Sequence, residues 1–184
     1  MNRLSFLLQY FFKPRTVGAV LPSSRYLAEK MVSGIDFDNA NCIVEYGAGT
    51  GVFTDKILRM RSPATLVILF EMNNTFCRDL KEKYGNRPNL HIVNGSAQNV
   101  GQYLQKYGVE RVDYVVSGLP FASLPQDVSN KILTETKKWL KPSGVFITFQ
   151  YTLLKMDLLG RFFDKIEIER EFRNVPPAYV LHCR

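Results

Sequence analysis

The 184-residue sequence lacks any long apolar run and any recognisable secretion signal. No stretch approaches the roughly 20 consecutive apolar residues that a membrane-spanning helix needs. The N-terminus carries aromatic and basic residues where a signal peptide would have a clean apolar core, and no small-residue cleavage site follows. We therefore expect the protein to stay in the cytoplasm, with at most peripheral contact with the inner face of the membrane.

Residues that ligate metals or form disulfides are also scarce. The chain has three cysteines and two histidines, widely spaced and without a C-x-x-C pair: Cys42, Cys77, Cys183, His91 and His182. This pattern fits neither a zinc site nor a disulfide framework. The sequence therefore predicts no metal, and any chemistry needs an organic cofactor or none.

Acidic residues are outnumbered by basic ones, 17 against 24, which gives a net charge of +7. Such a balance favours an anionic partner, and nucleic acid and an acidic membrane surface fit it equally well. A basic protein with no such partner is an equally good interpretation of charge alone. The length suits a single domain, and we expect a monomer.

Beyond residue 38, short runs rich in Val, Ile and Phe alternate with helical patterns. Strands are predicted at 42–46, 65–70, 90–93, 112–116, 145–150, 163–172 and 178–183. Helices are predicted at 54–60, 73–84 and 97–107, and from Pro125 to about Leu140. The alternation predicts a parallel sheet, and the short 173–177 link predicts a final hairpin with one antiparallel strand. Residues 1–37 form a helical segment ahead of a 38–184 domain.

A glycine-rich loop falls where the first strand turns into the first helix of this domain. It begins at Glu45 and continues through Gly47, Gly49 and Gly51, where missing side chains let the backbone approach a ligand. A dinucleotide fingerprint would place its third glycine at position 52, so the pattern is a different one. Glu71 follows at the end of the second strand, where a carboxylate can accept hydrogen bonds from both ribose hydroxyls.

This E-x-G-x-G-x-G loop with an acidic second-strand end resembles motifs I and II of class I S-adenosylmethionine-dependent methyltransferases. The resemblance covers nearly all of residues 38–184 and implies a Rossmann-like, seven-stranded α/β fold with helices on both faces. It implies S-adenosylmethionine as cofactor, its methionine part held by Glu45 and the loop backbone and its ribose by Glu71. Further cofactor-binding residues implied are Tyr46, Ala48, Met72, Ser96, Ala97 and Ser117. A purely structural glycine-rich turn is the alternative.

The segment after the third strand departs from the family pattern. Members commonly carry an acidic residue there, in a G-D-A-like sequence that contacts the adenine amine. This chain has Gly95-Ser96-Ala97 instead, so the hydroxyl of Ser96 is the expected polar contact.

The sequence Ser117-Gly118-Leu119-Pro120-Phe121 follows the fourth strand, and its members, together with Tyr26, are the predicted catalytic residues. Amino-methyltransferases carry an N/D-P-P-Y/F-like motif at this point, which positions an amine for attack on the methyl group. Ribosomal RNA adenine dimethyltransferases have asparagine at the position of Gly118. The form S-G-L-P resembles bacterial phospholipid N-methyltransferases, which convert phosphatidylethanolamine stepwise towards phosphatidylcholine. The aromatic rings of Phe121 or Tyr151 can favour methylated, cationic products. An ordinary strand-to-helix turn is the alternative.

The N-terminal segment carries an apolar stripe with helical spacing, formed by Leu4, Leu7, Leu8, Phe11 and Phe12. Basic residues surround it, so the predicted helix either lies in an anionic membrane interface or packs on the domain. The stretch from Phe11 to Ser24 resembles the start of the phospholipid methyltransferases and, more loosely, of the RNA dimethyltransferases. In those families this segment closes over the methyl end of the cofactor, which makes Gly18 and Tyr26 candidates for the roof of the active site. Tyr26 is equally well interpreted as a core or surface aromatic.

Three functions therefore stand as hypotheses. The first is an N-methyltransferase that acts on the amine of phosphatidylethanolamine at the membrane surface. The second is an rRNA adenine N6-methyltransferase. The basic charge supports this hypothesis, whereas the missing asparagine counts against it. The third is a methyltransferase of small-molecule amines, or a non-enzymatic version of the fold.

Overall fold

A computed structural model describes residues 24–153 and 156–184. The predicted amphipathic helix around residues 4–12 and the candidate Gly18 lie outside the described residues. In the two described ranges, no helix combines the length and the apolar character that crossing a bilayer requires.

The described chain forms one seven-stranded sheet. Its strands are β1 (Cys42–Tyr46), β2 (Leu66–Glu71), β3 (Leu90–Asn94), β4 (Val112–Ser117), β5 (Leu140–Gln150), β6 (Ile166–Glu171) and β7 (Ala178–Cys183). The spatial order is β3-β2-β1-β4-β5-β7-β6. Strands β1 to β5 pair in parallel, whereas β7 runs antiparallel to both β5 and β6. The predicted parallel sheet, the final hairpin and the single antiparallel strand are confirmed.

Helices connect the strands and cover both faces of the sheet. They are α1 (Arg25–Val32), α2 (Val52–Met60), α3 (Asn74–Tyr84), α4 (Val100–Lys106), α5 (Gln126–Trp139) and α6 (Met156–Gly160), with a 3₁₀ turn at Ala97–Asn99. Ser24 caps α1 by accepting a hydrogen bond from the Leu27 amide at 3.2 Å. Asn73 caps α3 in the same way through the amides of Thr75 and Phe76. Both residues are favourable caps because their side-chain oxygens satisfy amides that have no partner within the helix.

Two strands begin three or more residues away from the predicted position, and one helix is not predicted. Strand β5 begins at Leu140, where the sequence predicts a break at Pro142, because Leu140 pairs with Val112 before an irregularity shifts the register. The short helix α6 is not predicted at all, since five residues carry too little periodicity. Strand β6 begins at Ile166 because the earlier Phe163 turns into the core and stacks on Phe146, with ring centroids 5.4 Å apart.

Alternate residues of each central strand face two separate apolar cores. One core lies under α4, α5 and α6 and contains Tyr46, Phe70 and Phe146. The other lies under α1, α2 and α3 and contains Leu27, Met31 and Ile57. Burial on both faces accounts for the continuous apolar runs of these strands. Helix α1 is thus part of the second core, although the sequence predicts it within an N-terminal segment. The predicted boundary between that segment and the domain, at residue 37, stays a prediction.

Candidate active site

A cleft opens at the point where the strand order reverses, between the carboxyl ends of β1 and β4. Ligands of open parallel sheets bind at such a switch point. The cleft holds a pocket at the place where small molecules bind in such folds. It is lined by Gly47, Phe70, Glu71, Met72, Gly95, Ser96, Ala97, Leu119, Leu124, Val128 and Ile132.

The loop between β1 and α2 forms the floor of this cleft. Gly47, Gly49 and Gly51 all have positive φ angles, of 67°, 55° and 83°. Residues with side chains rarely adopt this conformation, and the loop therefore requires glycine. A Cβ atom on Gly47 would also lie 2.9 Å from Cδ2 of Leu119, so the loops after β1 and β4 pack directly against each other.

Glu71 ties this loop to the end of β2. Its side chain is buried, and its two oxygens accept hydrogen bonds from the amides of Gly49 at 2.8 Å and Asn73 at 2.7 Å. Burial raises the pKa of Glu71, although both amide donors pull it down. Each carboxylate oxygen has a second lone pair, so the group can also accept hydrogen bonds from ligand hydroxyls.

Glu45 is a second buried carboxyl group, one strand away. Its Oε2 accepts a hydrogen bond from the Thr54 hydroxyl at 2.7 Å, while its Oε1 has no partner among the described residues. Burial raises the pKa of Glu45 to about 8. A buried acceptor without a partner is rare in native proteins. The ammonium group of an amino-acid ligand, directly or through water, would complete its hydrogen bonding, which fits the methionine part of S-adenosylmethionine.

The other end of the cleft has apolar walls and a polar rim. Phe70 and Met72 supply one side, and Val128 and Ile132 of α5 supply another. Ser96 stands at the rim, where its hydroxyl accepts a hydrogen bond from the Gln98 amide at 3.2 Å and caps the 3₁₀ turn. Binding of the cofactor's adenine beside Ser96 and Ala97 stays a prediction.

The segment after β4 crosses the floor loop at close range. The Gly118 amide donates to the Tyr46 carbonyl oxygen at 2.8 Å, and the Ser117 hydroxyl accepts from the Leu119 amide at 3.2 Å. A Cβ atom on Gly118 would lie 2.9 Å from the Gly47 carbonyl oxygen. This close contact accounts for glycine at position 118, and the sequence alone does not predict it.

Two of the predicted aromatic site residues are packed in the core. Phe121 is 1% exposed and packs edge-to-face on Phe146, with centroids 5.8 Å apart. Tyr46 is also 1% exposed, and its hydroxyl lies 3.2 Å from that of Thr136. Direct contact of either ring with a ligand stays a prediction.

Tyr26, the candidate for the roof, lies at the start of α1. Its hydroxyl accepts a hydrogen bond from Arg25 at 2.8 Å, and the Arg173 guanidinium sits 4.4 Å from its ring centroid. Within the described part of the chain, Tyr26 is not among the residues that line the cleft. Its role as a roof stays a prediction.

The structure thus brings together many of the predicted residues around one cleft: Gly47, Glu71, Met72, Ser96, Ala97 and Leu119. Sequence reasoning missed Phe70, Leu124, Val128 and Ile132. Val128 and Ile132 are four residues apart on α5, a spacing that is equally typical of a buried helix face. Gln150 at the end of β5 was also missed; it is buried, and neither amide atom has a partner among the described residues.

Comparison with known proteins gives one family and several relatives. Residues 43–144 match the methyltransferase domain family. An ornithine lipid N-methyltransferase from Singulisphaera acidiphila is 37% identical over 181 residues, which cover 97% of this chain and 94% of the relative. Ribosomal RNA small subunit methyltransferase A from Borreliella afzelii is 27% identical over 111 residues, which cover 59% of this chain and 36% of that protein.

A solved structure shows the same fold. Fibrillarin from Aeropyrum pernix, crystallised with natively bound S-adenosyl-L-methionine, superposes with a TM-score of 0.64 at 15% identity. The match covers 87% of this chain and 76% of fibrillarin. The predicted Rossmann-like methyltransferase fold is confirmed.

Proposed function

Because the chain belongs to the methyltransferase domain family and is an S-adenosylmethionine-dependent methyltransferase, we propose that it methylates the amine nitrogen of a membrane lipid. The observation that carries this proposal is the 37% identity to an ornithine lipid N-methyltransferase, which extends over 97% of the chain. Phosphatidylethanolamine, the substrate that the S-G-L-P motif favours in the sequence, is the second candidate. Both lipids present a primary amine.

Each residue of the cleft would hold the part of the cofactor that matches its chemistry. Glu45 would receive the methionine ammonium group, Glu71 the ribose hydroxyls, and the apolar slot beside Ser96 the adenine. When bound, S-adenosylmethionine supplies the electrophilic methyl group. The chain itself excludes water with Leu119, Leu124 and Val128, and it fixes the floor loop against the segment after β4.

The substrate amine would approach along the segment after β4. Holding donor and acceptor in a near-attack arrangement supplies most of the rate acceleration in such a reaction. An alkyl amine must lose a proton before it attacks, and water or a side chain at this edge takes that proton. Gln150 lies at the end of the strand beside β4, and its side-chain amide, which has no partner among the described residues, suits a polar headgroup.

An RNA substrate is the alternative, supported by the match to ribosomal RNA methyltransferase A and by the charge of +7. That match covers only 36% of the relative. Asparagine at 118, as in the adenine dimethyltransferases, would also require the two loops to move apart, because a Cβ atom there would lie 2.9 Å from the Gly47 carbonyl oxygen. Both points favour a lipid.

Methyl transfer to defined acceptors tests the proposal. Purified protein and S-adenosylmethionine with a labelled methyl group are offered ornithine lipid in anionic vesicles, phosphatidylethanolamine in the same vesicles, unmodified ribosomal RNA, or a short soluble amine. We expect label in lipid, with ornithine lipid the better acceptor. Glu71→Gln should lower the rate by roughly 10- to 100-fold, because it removes a charged acceptor, whereas the exposed Glu82→Gln should not. Label in RNA or in the soluble amine with unlabelled vesicles would overturn the proposal.

A further inference from the structure

The turn between β6 and β7 exposes two large apolar side chains. Phe172 and Val175 are each 67% exposed, more than any other large apolar residue that the structure describes. Pro176 and Pro177 in the same turn are exposed as well. Clustered exposed apolar groups mark interaction sites more often than single ones do.

Hydrogen bonds hold this turn in one conformation. The buried Glu171 carboxylate accepts from the Arg173 backbone amide, from its Nε and from its Nη2, at 2.8–2.9 Å. Asn174 accepts from the Ser24 amide at 3.1 Å and donates to the Pro176 carbonyl oxygen at 2.7 Å. Phe172 and Val175 therefore project from an anchored backbone, and binding through them loses little conformational entropy.

Cationic side chains surround the apolar ones. The Arg170 guanidinium lies 4.6 Å from the ring centroid of Phe172 and 5.2 Å from that of Tyr179. Arg25 lies 4.8 Å from the ring centroid of Tyr26. Within residues 24–153 and 156–184, neither Arg25 nor Arg170 has a carboxylate at ion-pair distance. Aromatic and apolar groups beside such arginines suit an interface that is apolar at depth and anionic at its surface.

The turn lies on the same edge of the sheet as the cleft. Strand β6 runs parallel to β5, since both are antiparallel to β7, so β6 ends at the carboxyl edge where the cleft opens. Leu153, which is 37% exposed, follows the end of β5 at this edge. Ser24 lies beside the turn, since its amide donates to Asn174 at 3.1 Å. The sequence before Ser24 holds three basic residues and no acidic one.

We propose that residues 172–177, together with Arg25 and Arg170, form a docking surface for an anionic lipid bilayer. Phe172 and Val175 insert between headgroups, and the two arginines contact lipid phosphates. Docking at this edge turns the cleft towards the headgroups. The biological meaning of this surface rests on the proposed function, although docking itself is measurable without catalysis.

Flotation with phosphatidylglycerol-containing vesicles tests the surface directly. The double variant F172S/V175S should lower vesicle affinity by at least about tenfold, because both apolar anchors are lost. R25Q/R170Q should lower it by a similar factor at low salt and much less at high salt. Met60→Ser is the matched control: Met60 is 52% exposed, but it ends α2 at the opposite edge of the sheet. Unchanged affinity of F172S/V175S, or an equal loss in Met60→Ser, would overturn the proposal.

A spectroscopic readout separates lipid from other occupants. The F172W substitution adds a second tryptophan to Trp139. When anionic vesicles are added, the emission of this new tryptophan should shift to the blue, and brominated acyl chains should quench it. Absence of quenching would contradict docking on lipid. So would an emission from the new tryptophan that is already shifted to the blue without lipid, because protein would then cover the turn. Methyl transfer to monomeric short-chain ornithine lipid should survive F172S/V175S. If wild-type protein binds vesicles through the turn but methylates no lipid, the proposed function fails and the docking surface stands.

Discussion

Glu45 carries a buried carboxyl group whose titration affects both stability and the proposed site. Burial raises its pKa from 4.5 to about 8, so the folded protein holds a proton there that the unfolded chain releases. Between these two values the unfolded state binds fewer protons, and the free energy of unfolding therefore falls as the pH rises. Glu71, whose pKa burial also raises, contributes in the same direction.

The variant Glu45→Gln should lose much of this pH dependence, because glutamine does not titrate. Measured by urea unfolding without ligand, the wild-type protein should lose on the order of a few kcal/mol more than E45Q between pH 5 and pH 8. The exposed Glu82→Gln serves as control and should follow the wild type. If the free energies of unfolding of E45Q and the wild type change equally with pH, Glu45 is already ionised in the folded protein.

Gly118 has no side chain, which lets the loops after β1 and β4 pack in direct contact. Because its Cβ would lie 2.9 Å from the Gly47 carbonyl oxygen, Gly118→Ala should destabilise the protein by roughly 1–3 kcal/mol and weaken cofactor binding. Gly160→Ala is the matched control, since no heavy atom lies within 4 Å of its added carbon, and its effect should stay within about 0.5 kcal/mol. Thermal unfolding and calorimetric titration with S-adenosylmethionine measure both effects. Equal behaviour of the two variants would show that the loops separate easily.

At the scale of elements, helix α1 links the N-terminal part of the chain to the sheet. Met31 is fully buried in the core that α1 shares with α2, and Met31→Ala should lower the free energy of unfolding by roughly 2–5 kcal/mol in a single transition. Glu29→Ala, which removes an exposed ion pair with Lys56, should leave the transition close to that of the wild type. Two separate transitions in chemical unfolding would indicate that α1 folds independently of the domain.

The sequence was sufficient for the succession of strands along the chain and for the glycine-rich loop that forms the floor of the cleft. The periodicity of strands β1 to β4 and the E-x-G-x-G-x-G loop are local signals, and each predicts its own element. The cleft wall at Val128 and Ile132 was not predictable, because a helix face turned to a ligand has the same pattern as one turned to a core. Likewise, the start of β5 depends on pairing of Leu140 with a distant strand. Contacts between distant residues decide these features, and a single sequence does not contain them.

At the scale of the whole molecule, the cleft, the segment after β4 and the exposed turn after β6 share the carboxyl edge of one sheet. The two buried carboxyl groups of the proposed cofactor site lie at that edge, and the proposed lipid substrate would account for the apolar and cationic groups beside it. With its net charge of +7, we expect the protein to bind anionic vesicles more weakly as salt is added.

Mass spectrometry of the acceptor is the most direct measurement of the proposed reaction. Vesicles that contain both ornithine lipid and phosphatidylethanolamine are incubated with protein and S-adenosylmethionine, and the lipids are then fragmented to locate any added methyl groups. We expect methyl groups on the headgroup nitrogen, mainly of ornithine lipid, in the wild type and in Glu82→Gln, with strong loss in Glu71→Gln. Unmodified lipids beside methylated RNA in a parallel incubation would contradict the proposal that this protein is a lipid N-methyltransferase.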